Sequence, residues 1–437
     1  MNATEAKELY LKRPAARAPD WAGATRRAAR ERFAAVGFPT TRDEEWKYTS
    51  IEPILKVPFG AGDGRDEGVE KRIAALGLDG LARNRLVFVD GRFSRRFSRV
   101  AALPQGAVAG SLADAMNEQR ERIEPEWARY ADYDDQSFVA LNTAFAEDGA
   151  FVYVPAGAVA EPIHLLFIAG TSDEPTVAHP RTLIVLERGS QATVIETYAG
   201  RDGEIYWTNA VTEIVLRDNA VLDGYKIQME SERAFHIATQ QARLGPDAVF
   251  VSHSFALGAA LARNDVNASF AGEGADCTLN GLYVTAGRQH VDNHTRIDHE
   301  NPRCVSRELY KGIMGGKSRG VFNGKIYVHE HAEKTDARQT NRNLLLSEEA
   351  WVDTKPQLEI YNNDVKCSHG STIGQLDEAA LFFLRARGLD VQMAIGLLTQ
   401  GFANEITSRL KHAGVAALME NVMAKKIAAM SAEERRW

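Results

Sequence analysis

The chain has 437 residues, of which 44% are hydrophobic and 25% charged, and its net charge is −7 at pH 7. This composition is typical of a folded globular protein, and the negative charge argues against a dedicated nucleic-acid binder. No run of about 18 apolar residues occurs, so the sequence predicts no membrane-spanning helix and no membrane partner.

Residues 1–135 are predicted to form a mostly helical domain. Its start lacks the apolar core of a secretion signal. Asp20 is placed to cap a helix through TRRAARERFAAV, which ends at Gly37. In the following segment EEWKYT, Trp46 and Tyr48 are expected to pin this arm to a larger body.

Residues 136–370 are predicted to form one long β domain. Before it, residues 60–84 are rich in Gly and Asp and are typical of a linker, while residues 86–94 predict a strand, a turn and a second strand. From residue 136 onward, short apolar alternations are separated by turn sequences such as RDGE and LGPDA. Stacked coils of a β-solenoid are favoured over a sandwich, although no fixed repeat length is visible.

Residues 371–437 return to helical periodicity. A first helix is predicted from Asp377 to Arg387, with Gly388 as its left-handed cap, and Asp390 is placed to cap the next helix. These helices indicate either a docking surface for a partner or a cap over the open end of the solenoid. Both interpretations stay open at this point.

One glycine-rich segment resembles a phosphate loop. GIMGGKS, residues 312–318, is one residue shorter than the Walker A pattern. It also lies among predicted strands, with no helix after it to present its N-terminus to a phosphate. We exclude it as a nucleotide site.

Two groups of histidines have metal-ligand chemistry. His290, His294 and His299 form one group, and they give the hypothesis of a stand-alone zinc protein. His329 and His331 are predicted to share one strand face. Histidines also satisfy polar groups in turns between strands, so a structural role is favoured over metal binding for each group.

Cys367 and His369 form a third candidate site. Two residues apart on a predicted strand, they project from the same face, and Lys366 is expected to favour the thiolate. A thiolate and an imidazole together suit zinc or iron–sulfur chemistry. Two ligands are too few to hold a cluster, so a second chain would have to complete the site. The three cysteines of the chain form no CxxC pair and indicate a reducing, cytoplasmic location.

Four long segments carry a family resemblance: NHTRIDHENP, SRELYKGIMGGKSRGVFNGKIYV, KTDARQTNRNLLLS and DTKPQLEIYNNDVKCSHGSTIGQLDEAALFFLRARG. Together with EEWKYT they resemble the SufB/SufD family of iron–sulfur cluster assembly proteins, in its SufD form. The resemblance is weak over residues 40–50 and dense over residues 285–410. Histidines at the positions of His329 and His331 are unusual in the family, which argues against that pair as the functional metal site.

The resemblance implies a right-handed parallel β-helix between N-terminal and C-terminal helical domains. It implies a non-catalytic scaffold subunit that assembles with a SufB-type paralogue and a SufC-type ABC ATPase, or forms a homodimer when isolated. His369, with Cys367 beside it, would contribute to a nascent iron–sulfur cluster at the interface with SufB, and the chain alone would hold no cofactor. The ATPase would dock on the C-terminal helices, where we expect it to contact Leu381, Phe382, Phe383 and Leu384.

A different class of function is a β-solenoid polysaccharide lyase or hydrolase. Such enzymes bind sugars along the solenoid face through acidic and basic side chains. The absence of a secretion signal, the cysteine usage and the helical ends argue against this alternative. The sequence also contains no HExxH.

Overall fold

The computed structural model describes residues 3–14, 16, 19–65, 67–170, 172 and 174–433. For residues 431–433 it describes the backbone but not the side chains. Residues 434–437, the end of the predicted C-terminal domain, lie outside the described residues. Over the described part, the chain forms a β-solenoid with helices at both ends, which confirms the predicted fold class. No helix in this part is both long and apolar enough to cross a membrane.

Two sheets run side by side along the solenoid, and from β8 onward successive strands alternate between them. The first sheet contains β1 (Gly60–Ala61), β4 (Val108–Ser111), β5 (Ala150–Val154), β7 (Thr176–Ala178), β8 (Arg181–Leu186), β10 (Tyr206–Leu216), β12 (Phe235–Leu244), β14 (Leu261–Phe270), β16 (His290–His299), β18 (Arg319–Val328) and β20 (Trp351–Ile360). The second contains β2 (Asn84–Val89), β3 (Arg92–Phe93), β6 (Ile163–Ile168), β9 (Gln191–Ala199), β11 (Val221–Met229), β13 (Val249–Ala256), β15 (Asp276–Thr285), β17 (Val305–Met314), β19 (Asp336–Leu345) and β21 (Lys366–Gly374).

Within the solenoid, each strand pairs in parallel with the strand at the same position in the next coil, as β15 does with β17 and β16 with β18. The coil length varies along the chain, because His290 pairs with Arg319, 29 residues on, and Arg319 pairs with Trp351, 32 residues on. Turns of unequal length account for this variation. It explains why the sequence shows no fixed repeat.

Alternate residues of each strand face the interior of the solenoid. In β16, Val291 and Ile297 are fully buried in the interior hydrophobic cluster, whereas Arg296 lies on the exposed outer face. The segment 312–318 forms the end of β17 and a turn into β18. No helix follows it, which confirms that it is not a phosphate loop.

The N-terminal helices pack against the first coils. They are α1 (Ala3–Leu11), α2 (Asp20–Val36), α3 (Glu52–Leu55), α4 (Val69–Ala75), α5 (Leu112–Glu118), α6 (Arg120–Ile123) and α7 (Ser137–Phe145). The helix predicted from Asp20 to Gly37 is confirmed, although Pro19 rather than Asp20 occupies the cap position.

Two predictions for the N-terminal region need correction. Residues 60–84 are not a simple linker, since they contain β1 and α4, and Val69 and Ile73 of α4 are buried in a hydrophobic cluster. Residues 137–145, placed in the β domain by their position, form the fully buried helix α7. Burial on all sides removes the amphipathic period by which a surface helix is recognised.

A buried ion pair fixes α7 to the first coils. The Arg181 side chain is 1% exposed, and its guanidinium donates to Glu213 Oε2 at 2.6 Å. It also donates to the side chains of Asn142 and Thr143 on α7, at 3.2 and 2.8 Å. Charges buried this deeply persist because each is paired and hydrogen-bonded.

The C-terminal helices lie against the outer face of the second sheet. They are α8 (Glu378–Arg385), α9 (Val391–Thr407) and α10 (Ala413–Glu433). The predicted caps are confirmed: Asp377 accepts from the N–H groups of Ala379 and Ala380, and Asp390 accepts from that of Met393. The Lys311 ammonium of β17 pairs with Glu405 of α9 at 2.7 Å, which fastens these helices to the solenoid.

Candidate functional site

The solenoid ends in an open coil. Among the described strands, β20 pairs only with β18 and β21 only with β19 along the sheets, so each sheet terminates in an edge strand. Large apolar side chains are exposed on this coil, with Trp351 62% exposed, Tyr361 56% and Ile373 51%. Unpaired strand edges and exposed apolar groups together favour association with another β structure.

Cys367 and His369 lie on β21 in this open coil, which confirms that they occupy one strand. Their paired residues one coil below, Ala337 and Gln339, are buried inside the solenoid. Both side chains therefore belong to the inward-facing row, as their spacing predicted. His369 is exposed because no coil covers it.

The environment of Cys367 differs from the expected one. Its side chain is half-buried against a hydrophobic cluster that includes Ile326 and Val328. Burial raises the pKa of the Cys367 thiol, and the nearby Asp336 carboxylate raises it further. The expectation that Lys366 would favour the thiolate is therefore wrong, because an apolar surrounding disfavours the charged form. Of the two groups, the exposed imidazole is the more available ligand.

The N-terminal arm is fastened to the outer face of the first sheet next to the open coil. The hydroxyl of Thr49 donates to Asp292 Oδ2 at 2.6 Å and lies 2.8 Å from His290 Nε2. Glu45 contacts His294 Nδ1 at 3.3 Å, and His294 Nε2 lies 3.1 Å from Asp292 Oδ1. The histidine-rich segment therefore acts as a docking strip for EEWKYT, and a groove of about 650 Å³ opens beside it.

Trp46 completes this attachment, which confirms its predicted role as a pin. The Arg263 guanidinium lies 3.8 Å from the centroid of the Trp46 ring. The centroids of the Trp46 and Phe138 rings are 5.1 Å apart. Arg263 is itself held by Asp265 and Asp292, at 2.9 and 3.1 Å. Aromatic stacking on a fixed cation adds to the charged contacts of the arm.

The proposed zinc set of His290, His294 and His299 does not converge. His290 and His294 face outward, whereas His299 faces the interior and lies 2.9 Å from the Ser306 hydroxyl. Over the described residues, no group of three or more His, Cys, Asp or Glu side chains is arranged to hold a metal ion. The zinc hypothesis is wrong because residues nine apart on a strand point to opposite faces.

We predict that the arm contact is strongest in a window of pH. Hydrogen bonding to His294 lowers the pKa of Glu45 to about 2, so its contribution is present above the ordinary glutamate pKa and is lost as the pH falls. Burial opposes the charge on His294, but Asp292 and Glu45 outweigh it and raise its pKa. That contribution is present below about pH 6.5 and is lost as the pH rises through the raised value.

The measurement is the difference in thermal stability between the wild type and Glu45→Gln from pH 3 to 9. The Glu45 side chain is 58% exposed, so we expect a maximal difference of about 0.5–1 kcal/mol near pH 5–6, decreasing on both sides. Glu44→Gln is the matched control, because Glu44 pairs with Lys355, which does not titrate in this range. A pH-independent difference for Glu45→Gln would contradict the prediction.

An apolar patch covers the exposed side of α8 and α9. Phe382 is 74% exposed and Phe383 53%, and Met393 and Leu397 lie exposed on α9. The Arg387 guanidinium lies 3.2 Å from the centroid of the Phe383 ring. Large apolar side chains exposed together on a helical end are typical of a protein–protein contact.

Leu381 and Leu384, predicted to bind a partner together with Phe382 and Phe383, are placed differently. Leu381 is buried in the hydrophobic cluster under the C-terminal helices, and Leu384 is half-buried against the same cluster. Residues three apart on a helix share its inner face, while the two phenylalanines between them point outward. The structure thus removes Leu381 from the candidate contact.

Comparison with known proteins places the chain in one family. The model described as "SUF system FeS cluster assembly, SufBD core domain" matches residues 167–402, more than half of the chain, and the "SufBD protein N-terminal region" matches residues 12–165. The chain belongs to the SufB/SufD family. It is an iron–sulfur cluster assembly protein of the SUF system.

Individual SufB/SufD relatives match over most of their length. The iron–sulfur cluster assembly protein SufD of Escherichia coli (strain K12) is 35% identical, covering 89% of each chain. A SufBD family protein of Synechocystis is 34% identical over 88% of this chain and 86% of its own. The chloroplastic protein ABCI7 of Arabidopsis thaliana is 31% identical over 88% and 82%. The family finding replaces the polysaccharide lyase or hydrolase alternative.

The second histidine pair of this SufB/SufD chain is also placed differently from the prediction. β18 ends at Val328, so His329 and His331 lie in a turn rather than on one strand face. The His329 ring packs against Tyr327, with 4.5 Å between the ring centroids. A turn does not keep the alternation that would align the two rings.

Sequence reasoning missed the apolar rim of the open coil. Trp351, Tyr361 and Ile373 resemble other strand residues in the sequence, and nothing marks their coil as the last one. The helical signal that begins at Asp377 is the one clue, because the solenoid has to end before it. Reading that signal together with the strand alternation would have identified the rim.

Proposed function

We propose that this SufB/SufD chain is a non-catalytic scaffold subunit of a SufBCD-type complex. The observation that carries the proposal is the open coil, where two edge strands, an apolar rim and an exposed imidazole lie together. Edge strands of this kind pair with strands of another chain through main-chain hydrogen bonds. A SufB-type paralogue is the proposed partner, since it would continue both sheets with matching strands.

The chemical role proposed for His369 follows from its position at that interface. Its imidazole is available to iron, whereas the Cys367 thiol beside it stays protonated at neutral pH because burial raises its pKa. Two ligands cannot hold a cluster, so the partner chain supplies the others. The nascent iron–sulfur cluster is then a substrate shared between two chains, and ligands from both determine where it forms.

The patch on α8 and α9 is the proposed contact for a SufC-type ABC ATPase. Phe382 and Phe383 are aromatic anchors of the kind that dominate binding energy when they enter a pocket. ATP hydrolysis would belong to that partner. The two surfaces lie on different elements, so each is testable without disturbing the other.

Co-purification of this chain with the SufB-type and SufC-type proteins of its own genome tests the proposal. We expect Ile373→Asp to weaken recovery of the SufB-type protein at least tenfold, because a charge would be buried at the edge, and to leave the ATPase bound. Phe382→Asp should do the reverse. Both residues are exposed, so neither change should alter folding by more than about 0.5 kcal/mol.

Three outcomes would overturn the assembly role. The first is that the wild type recovers neither partner in the presence of ATP. The second is that Ile373→Asp retains the SufB-type protein, which would remove the open coil from the interface. The third is that Ile373→Asp and Phe382→Asp lose both partners together, which would mean that the surfaces are not separate. Homodimer formation by the isolated chain, abolished by Ile373→Asp, would place a second copy at the same edge.

A further inference from the structure

The groove beside the N-terminal arm has a polar floor of definite length. Its volume is about 650 Å³, a size that accommodates a small organic molecule. One row of its floor runs in register across four strands of the first sheet, from β12 to β18. The members of this row are Thr239, Asp265, His294 and Asn323. Neighbouring strands lie about 4.8 Å apart, so the row is about 14 Å long.

A second row of the floor lies beside the first on the same four strands. Its members are Gln241, Asn267, Arg296 and Lys325. The two cations are already engaged, since Arg296 lies 2.8 Å from Asp298. Lys325 likewise lies 3.1 Å from Glu359 of β20. The two amides have no hydrogen-bond partner among the described residues, so this row offers neutral hydrogen-bonding groups to the groove.

The two ends of the first row are buried polar side chains without partners. Thr239 and Asn323 are each only 5% exposed, and neither side chain forms a hydrogen bond within the part of the chain that the structure describes. Asp265 and His294, which lie between them, are held by Arg263 and Glu45 at 2.9 and 3.3 Å. Buried polar groups in folded proteins are normally hydrogen-bonded. Both ends of the row are therefore prepared for a bound molecule.

Helix α7 begins at the same groove with its N–H groups free. Ser137, Phe138 and Val139 line the groove, and no described residue accepts from the backbone N–H of any of them. The side chain of Gln136 does not cap the helix, and the first turn contains no acidic residue. An uncapped helix start of this kind attracts an anionic group through its free donors and its dipole.

The start of α7 lies next to the Thr239 end of the floor. Val139 packs in one cluster with Val211 of β10, and Val211 pairs in register with Thr239. The free N–H groups and the unpartnered hydroxyl therefore meet at one end of the groove. Asn323 is at the other end, three strands away.

The charges of the groove favour a single carboxylate over a phosphate. Within the floor, Asp265 and Asp298 are neutralised by the arginines that contact them. The carboxylates of Asp132 and Asp135 lie exposed at the rim before α7, and Arg32 is 3.8 Å from Asp135. Like charges repel in proportion to their size, so these two acids oppose a doubly charged phosphate more than a singly charged carboxylate.

We propose that this groove binds an extended organic carboxylate. Its carboxylate accepts from the free N–H groups of α7, and hydrogen-bonding groups along its length meet Thr239, the floor amides and Asn323. Phe38 and Trp46 line the groove and contact the carbon skeleton of the ligand. The site does not depend on the proposed function, because it lies on the outer face of the first sheet, whereas His369 belongs to the inward-facing row of β21.

Calorimetric titration of the full chain with three probes tests the proposal. Triglycine carries a carboxylate and amides along about 10 Å, triglycine amide has the same length without the carboxylate, and inorganic phosphate is an anion without the length. We expect triglycine to bind at least about tenfold more tightly than either of the others, because only it combines a charge-assisted contact at α7 with the floor contacts. Absence of triglycine binding, or equal affinity for triglycine and its amide, would overturn the proposal. Phosphate binding as tight as that of triglycine would reject the role of the floor.

Gln136→Asp distinguishes the helix start from the rest of the groove. An aspartate at this position accepts from the free N–H groups itself, so we expect higher thermal stability together with a loss of triglycine affinity of at least about tenfold. Gln136→Ala is the matched control, which adds no cap and should keep the affinity within about threefold. An unchanged affinity in Gln136→Asp, or an equal loss in Gln136→Ala, would contradict the assignment of the carboxylate to α7.

Thr239→Val tests the floor independently of the helix. It removes the hydroxyl at nearly constant volume, and we expect triglycine affinity to fall about three- to tenfold, as for the loss of one hydrogen bond. The hydroxyl has no partner within the described chain, so the variant should fold as well as the wild type. Wild-type affinity in Thr239→Val would remove the floor from the site.

Discussion

Replacing Arg181 with alanine should lower the free energy of unfolding by about 3–5 kcal/mol, the largest effect on stability that we expect from a single exchange. The change leaves the Glu213 carboxylate, which is 1% exposed, without its counter-charge. Glu213 Oε1 also accepts from the backbone N–H groups of Tyr130 and Ala131, at 2.8 and 3.0 Å. The loss of Arg181 therefore loosens the segment before α7 as well as the first coils.

Urea unfolding of the purified chain measures this effect. Arg120→Ala is the control, because Arg120 and Glu124 form a solvent-exposed pair with N–O contact at 2.7 Å on one helix face. Such pairs contribute about 0.3–0.5 kcal/mol. Equal effects for Arg181→Ala and Arg120→Ala would show that burial of the first pair does not matter to stability.

His369→Ala should abolish the support that this chain gives to cluster assembly while leaving it folded. The side chain is exposed on the open coil, and no hydrogen bond to its ring links it to another described residue, so its removal costs little stability. Its loss removes an exposed imidazole from the proposed interface. We expect cluster formation by the reconstituted complex to decrease at least tenfold. The measurement is the absorbance of the iron–sulfur cluster over time.

Ser371→Ala is the matched control for His369→Ala. Ser371 lies two residues further along β21 in the same inward-facing row, and its hydroxyl is 2.9 Å from that of Thr354. It offers no imidazole, so its loss should leave cluster formation within about twofold of the wild type. Normal cluster formation by His369→Ala would rule out the proposed role, whatever the control shows.

The parts of the fold that depend on alternation were predictable from the sequence. Strand segments such as VFNGKIYV place apolar side chains at every second position, and the caps at Asp377 and Asp390 follow from side-chain chemistry alone. The coil length was not predictable, because it depends on turns of unequal length between strands. Helix α7 was missed because a helix buried on all sides lacks a polar face.

The candidate site was predictable in its residues but not in its environment. The spacing of Cys367 and His369 correctly placed both on one face of a strand. The pKa of the Cys367 thiol depends on its burial against Ile326 and Val328, which lie some 40 residues earlier in the chain. These residues come close to Cys367 only because the chain winds into coils. The zinc hypothesis failed for a local reason, because it ignored which face of β16 each histidine occupies.

The two ends of the solenoid differ in their strand edges, and this difference limits how many chains can associate through those edges. At the N-terminal end, each sheet terminates in a short antiparallel strand, β3 or β4, and helix α5 packs against β4. The other end has free edges in both sheets. A solenoid with open strand edges at one end only can pair with a single neighbour through those edges. Open edges at both ends would instead allow a fibre to form. The polarity of the fold therefore makes a pair, rather than a filament, the natural limit of edge-to-edge assembly.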